Sequence, residues 1–409
     1  MRLARRAFLA SLTAAVAAPA TLRLARADAP PVTLKLHHFF SSVSGGHERF
    51  LAPWARKVEA QSGGRIRIDI FPSMQLGGAP AQLLEQARDG LADIVWAVPG
   101  NTPGRFIKIE AFELPFLPSR RALVNSRAIE DYAAANLQDE FREIHPICFS
   151  CRDRGVVHAN RAIRSIAELK GLRLHVTNRL AGEAVRALGA HGVSVPIAQV
   201  PMAIAGHAID GCLDPWDVVP SLRLSDLLKF HTDFAESSLS TSTFVLAMNK
   251  AAYEKLPRDL KTVIDANSGQ DAAGMAGAMW DLEAKTVADM ARERGEPIAM
   301  LTAEDVAHWR KATEPVVGLW LKQMKERKLD GGQLIAGART LIAKYANEPE
   351  PQPPQTPQPP QASEPKVVSE PPPASAPQAR AEAMAPKTDA PVAAPTVRRV
   401  PPKELDIPL

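Results

Sequence analysis

Two side chains in this sequence could do acid–base work. His175 sits inside the strand-like run "LRLHV", and Asp214 sits in "DGCLDP". A histidine beside a carboxylate can serve as a base with its orienting acid. No nucleophile accompanies this pair, however, and no G-x-S-x-G elbow occurs in the chain. The pattern therefore argues against an enzyme. A metal held by His175 and Asp214 is a further reading, but metal sites use more ligands than these two. Cys148 and Cys151 form "CFSC", which invites a redox reading. A reactive pair wants a helix N-terminus after its first cysteine. Here "HPICFSCRDRGVVH" reads as a strand running into a turn. Residues three apart on a strand lie roughly 10 Å apart on opposite faces, too far for a disulfide. Buried, inert thiols are expected, Cys212 included.

The elements that would carry these residues follow from periodicity. "VTLKLHHF" and "RIRIDIF" alternate and are rich in β-formers. Between them, Phe50, Leu51, Trp54 and Val58 recur at helical spacing, and Gly63-Gly64 closes the helix. "APAQLLEQARDG" is a helix and "ADIVWAV" a third strand. This βαβαβ run predicts a mostly parallel sheet with helices on its faces. Ligands bind such sheets beyond the carboxyl ends of the strands. His38, Phe39 and Phe40 lie at one such end and Trp96 near another. A second α/β pattern starts near Arg154: helix "RSIAELKG", strand "LRLHV", helix "RLAGEAVRALGA", strand "VSVPI". "STFVLAMNK" returns to strand character, and long amphipathic helices follow.

Composition sets the wider frame. The formal charge of +4 resides in the first 29 residues, which carry five arginines and one acid, so the rest is close to neutral. That argues against nucleic acid as a partner. The opening "MRLARRAFLASLTAAVAAPATLRLARADA" predicts an export signal over 1–29, with "RRAFLA" resembling a twin-arginine signal. No later run is apolar enough for a membrane helix. From about Glu348 the chain turns proline-rich and lacks Phe, Trp and Tyr. Such a segment, 347–409, is expected to be a disordered spacer that reaches over about 100 Å when fully extended. It leaves open an alternative: an envelope binding or sensor protein tethered by its tail and not engaged in transport.

The ordered set "GGRIRIDIFPSMQLGG", "ARDGLADIVWAVPGNTPGRF", "FELPFL", "ELKGLRLHV", "LGAHGVSVPIAQV", "IDGCLDPWDVVP" and "FVLAMNK" resembles a DctP-type solute-binding protein of a tripartite ATP-independent periplasmic (TRAP) transporter. The resemblance runs from about Val32 to Tyr345. It implies an α/β, two-lobed periplasmic-binding-protein clamshell with a ligand cleft between the lobes. One long helix would span both. Lobe 1 would comprise 30–153 and 242–279, and lobe 2 154–241 and 280–346. It also implies a periplasmic location, TRAP permease membrane subunits as partners, a small organic solute as ligand, and no cofactor.

The same resemblance singles out site residues. Family members commonly hold a carboxylate with an arginine at the position of His175, and the fork of an arginine suits that task. Where the family offers an asparagine, this chain has Asp214. A second family arginine counts to the neighbourhood of Gly155, next to Arg154. A mostly neutral imidazole beside a carboxylate is a poor anion site. Several readings stay open. Arg179, just past the strand in "VTNRLAG", substitutes as the cation. Alternatively the ligand is neutral or an amine and meets His175 and Asp214, or those two hold a metal. They could also pair only with each other. Trp216, in "DPWDVVP", offers an aromatic face for a flat ligand. Trp96, His38 and Phe39 complete the expected ligand-binding set, and the expected solute is a carboxylate with an aromatic or cyclic body.

Overall fold

Eleven strands form two sheets in the computed structural model, which describes residues 30–235 and 237–348. The expected export segment and the proline-rich segment from 349 onward lie outside the described residues. In chain order the strands are β1 (Val32–His38), β2 (Ile66–Phe71), β3 (Ile94–Ala97), β4 (Ile144–Cys151), β5 (Val156–Ala159) and β6 (Arg173–Val176). Then come β7 (His191–Val193), β8 (Gly211–Asp214), β9 (Phe230–Phe234), β10 (Thr243–Asn249) and β11 (Ile298–Leu301). The first sheet has the order β2-β1-β3-β10-β4. β1, β2 and β3 run parallel, as the βαβαβ pattern requires, while β10 runs antiparallel to both β3 and β4. The second sheet has the order β11-β9-β5-β8-β6-β7.

The chain crosses between sheets in the short links β4–β5 and β9–β10, and again through the helix Gln270–Glu293. That helix is apolar on different faces along its length. Ala273, Ala276, Met279 and Trp280 pack into the core beneath β1 and β3. Ala284, Val287, Ala288 and Ala291 pack against Val156, Trp216 and Val219 on the second sheet's side. A second helix, Ala303–Glu326, also spans both. Val306 and Trp309 lie in the second sheet's core, and Val316, Trp320 and Met324 in the first sheet's. The sequence reading has a single spanning helix.

The helix Gly331–Ala346 differs from the lobe boundaries drawn on sequence. Leu334, Ile335, Ala338 and Ile342 share a core with Ile129, Tyr132 and Val245 of the first sheet's side. The apolar stripe of a terminal helix is legible in sequence, but the surface that receives it is not. "VSVPI" also shortens: β7 ends at Val193, and the chain leaves the sheet before Pro196. The cysteines behave as the strand geometry requires. Cys148 and Cys151 face opposite sides of β4, both buried, and burial pushes both thiols well up.

Gly277 sets the closest approach in this framework. A Cβ there would stand 2.6 Å from Leu123 Cα and 2.9 Å from Ala122 O, on the helix Ala122–Asn136. Gly277→Ala is expected to force these helices apart and destabilise the fold by about 1–3 kcal/mol, read as a lowered urea midpoint.

Candidate functional site

Short loops bring β3, β4, β8 and the helix Gln270–Glu293 to one place, and Arg152 stands at its centre. It follows β4 directly, in the first crossover. Its guanidinium lies over Trp280 at 5.0 Å from the ring centre and over Phe40 at 5.6 Å. Its Nη2 donates to Asp217. Its Nε is buried with no protein acceptor. Burial disfavours the charge, but Asp217 and Asp153 outweigh that and hold the guanidinium firmly protonated. Such a cation, desolvated and flanked by aromatic faces, keeps its strength for an incoming anion.

The aromatic wall is continuous. Trp96 lies 4.9 Å from Phe244, 5.1 Å from Phe40 and 5.7 Å from Trp280, nearly parallel to the last. Phe39 stacks on Phe40 at 4.3 Å. Gly46 makes room: a Cβ there would come within 2.6 Å of Trp96. His38 is fully buried and bonds His47 through Nε2 at 3.0 Å. Burial first, then its histidine neighbours, lowers its pKa to about 3, so it is neutral. Trp96, Phe39 and His38 therefore lie close together at the ends of β1 and β3.

His175 and Asp214 bond each other, Nδ1–H to Oδ2 at 2.7 Å. The second ring nitrogen, Nε2, donates to Val195 O at 3.1 Å. Both partners are acceptors, an arrangement that favours a proton on each nitrogen. Burial opposes this charge, but Asp214 overrides burial and raises the histidine pKa. Burial likewise opposes the Asp214 charge; His175 overrides it and lowers the carboxyl pKa. Asp214 thus works against the mostly neutral imidazole expected from the sequence. Trp216 is fully buried, edge-on to His158 at 5.1 Å and 4.8 Å from His231, among apolar side chains.

Two arginines from the sequence reading are engaged elsewhere. Arg179 opens the helix Arg179–Ala187, whose N-cap Asn178 accepts from Ala181 N. Its Nη2 donates to Glu110 Oε2 at 2.6 Å and Gln323 Oε1 at 3.1 Å. It therefore ties the second sheet's side to the first. Arg154 grips Asp233 with two bonds, 2.6 and 2.5 Å. It lines a separate cavity of about 330 Å³ with Arg120, Arg121, Lys285 and Arg292. Arg152 is the residue the sequence reading passed over. "CRDR" holds two arginines two apart, and counting along the family pattern names Arg154 alone. Arg154 turns toward Asp233 and Arg152 lies over the rings of Phe40 and Trp280, because the link between β4 and β5 is not a regular strand.

Two α/β sheets joined by crossovers and spanning helices, with a polar cluster at their junction, define a solute-binding clamshell. The family model for bacterial extracellular solute-binding protein, family 7 (DctP), matches residues 38–323, and the chain belongs to that family. Its members bind solutes in the periplasm and are not catalysts. A TRAP solute-binding protein from Rhodoferax ferrireducens T118, in complex with copurified benzoate, is similar at 39% identity and a TM-score of 0.74. The match covers 77% of this chain and 98% of that one. A marine metagenome TRAP solute-binding protein specific for aromatic acid ligands, in complex with 3-hydroxybenzoate, is similar at 37% identity and a TM-score of 0.75, over 78% and 99%. The outer membrane transporter protein TsaT of Comamonas testosteroni is 25% identical, over 74% of this chain and 89% of that protein.

The buried pair carries a pH signature. The raised pKa of His175 means its stabilisation is complete below its unfolded value near 6.5 and fades as pH rises through the folded value. The lowered pKa of Asp214 means its share is complete above its unfolded value near 3.8 and is lost as pH falls further, through the folded value. His175→Gln is expected to cost about 3 kcal/mol near pH 5.5. The gap to the native protein should shrink toward pH 9 in urea titrations.

Proposed function

We propose that this protein captures a small aromatic carboxylate in the periplasm and delivers it to the membrane subunits of a TRAP-type importer. The observation that carries the reading is Arg152, a buried guanidinium between Phe40 and Trp280 with its Nε unengaged. A carboxylate meets the guanidinium, and the ring it is attached to continues onto the wall of Phe39, Phe40, Trp96, Phe244 and Trp280. Aromatic faces stacking at roughly 4.5–7 Å favour a flat body over an aliphatic one. The two relatives in complex with benzoate and 3-hydroxybenzoate support the same class of ligand.

In this reading Arg152 takes the role first given to Arg179, which holds Glu110 instead. His175 and Asp214 balance each other's charge, so the pair adds no net repulsion to an anion. Trp216 and Arg154 act from behind the site, as packing and as an ion pair. The groups around Arg152 are covered by side chains from both sheets' sides. Ligand therefore enters when the lobes separate and is enclosed when they close.

Calorimetry with benzoate, 3-hydroxybenzoate, mandelate, succinate and glucuronate tests the reading. The aromatic acids are expected to bind and succinate and glucuronate not. Arg152→Met should lower aromatic-acid affinity by at least about 100-fold, the scale for losing a buried charged hydrogen bond. Binding restricted to aliphatic or neutral solutes, or an unchanged affinity in the variant, would contradict it.

A further inference from the structure

Polar atoms of both kinds lie buried around Arg152 without a protein partner. Asp153 Oδ1, Asp214 Oδ1 and Asp217 Oδ1 are buried acceptors that no protein donor reaches. The donors there without a protein acceptor are the Arg152 Nε and the indole Nε1 of Trp96, Trp216 and Trp280. Buried carboxylate oxygens without donors are costly and rare. A ligand carboxylate brings only further acceptors. It would satisfy the guanidinium and leave the three oxygens as they are. It would also approach the charge of Asp217.

We propose that the ligand carries a hydroxyl as well as its carboxylate, and that Asp217 accepts the hydrogen bond of that hydroxyl. The site would thereby select hydroxylated aromatic acids over unsubstituted ones. This rests on the reading of the site given above.

Asp217 is singled out among the three acids. Asp214 Oδ2 already holds His175, and Asp153 Oδ2 already accepts from Trp216 N at 3.3 Å. Both are sealed, whereas the Asp217 side chain keeps 13% exposure at the edge of the cluster. Asp217 is also bonded to Arg152, so one guanidinium aligns the ligand carboxylate and the acceptor side by side. Burial, reinforced by the neighbouring Asp217, pushes the Asp153 carboxyl well up. Asp217 is the acid of the three that bonds Arg152 directly while one of its oxygens stays without a donor. The adjacent guanidinium disfavours an ammonium in the same place. A site that hydrogen-bonds a ligand hydroxyl rejects the analogue that lacks it, because its buried group is left unpaired.

The test is calorimetric titration of the whole chain with benzoate and with 2-, 3- and 4-hydroxybenzoate. The native protein, Asp217→Ala and Asp217→Asn are compared, each checked for a native melting transition. In the native protein the tightest hydroxybenzoate should bind at least about tenfold more tightly than benzoate. In Asp217→Ala the order should cross over. The hydroxybenzoate weakens as its acceptor goes, and benzoate tightens severalfold as Arg152 loses its neutralising partner. Asp217→Asn, which keeps an amide oxygen, should retain part of the preference. Should the alanine variant fail to fold, a drop in preference of at least threefold in the asparagine variant carries the test. Equal native affinities for benzoate and hydroxybenzoates would overturn the proposal. So would parallel losses for both ligands in the variants, which would make Asp217 only a support for Arg152. Failure of every aromatic acid to bind the native protein would instead sink the reading of the site itself, before any variant is made.

Discussion

A buried guanidinium must be matched by charge and by hydrogen bonds, and Arg152 imposes that demand at the point where the chain first passes between sheets. Asp217 meets part of it from the loop after β8, and the faces of Phe40 and Trp280 meet another part. The three contacts come from β1's end, the second sheet's side and a spanning helix. The packing of both halves therefore converges on one side chain. A desolvated cation with donors to spare is also what an anionic ligand needs, so the proposed binding role falls on the same side chain.

The other charges of the junction serve geometry. Arg179 and Glu110 join the two sides, and burial raises the glutamate pKa even with Arg179 beside it. Arg154 and Asp233 lock the start of β5 to β9 with a two-pronged pair. His175 and Asp214 cancel each other within the second sheet. Each is an ion pair with both members largely withdrawn from water. Such pairs add little net stability but make the alternatives, with one member unpaired, expensive.

Much of the architecture was legible along the chain. Alternation in "RIRIDIF" and helical spacing of Phe50, Leu51, Trp54 and Val58 report burial on one face, which is a local property. The inert cysteines followed from strand geometry alone. The aromatic wall was half visible, since Phe39, Phe40 and Trp96 lie at strand ends, but Phe244 and Trp280 lie far along the chain. The charge state of His175 was not legible. It depends on Asp214 arriving from another strand and on Val195 O closing the second nitrogen.

The sequence by itself determined which segments become strands and helices, that two α/β units alternate, and that the family is one of solute receptors. Periodicity and ordered motifs encode those features within short windows. The tertiary structure alone decided which arginine faces the aromatic wall. Arg152 and Arg154 are near neighbours of one type in one link, and only the positions of Asp217, Asp233, Phe40 and Trp280 distinguish them. It also decided that the last helix packs on the first sheet's side, because an apolar stripe states that it must be covered without stating by what. The physical reason is the same in both cases. Burial and charge pairing are set by partners distant in sequence, and their energies exist only once those partners meet.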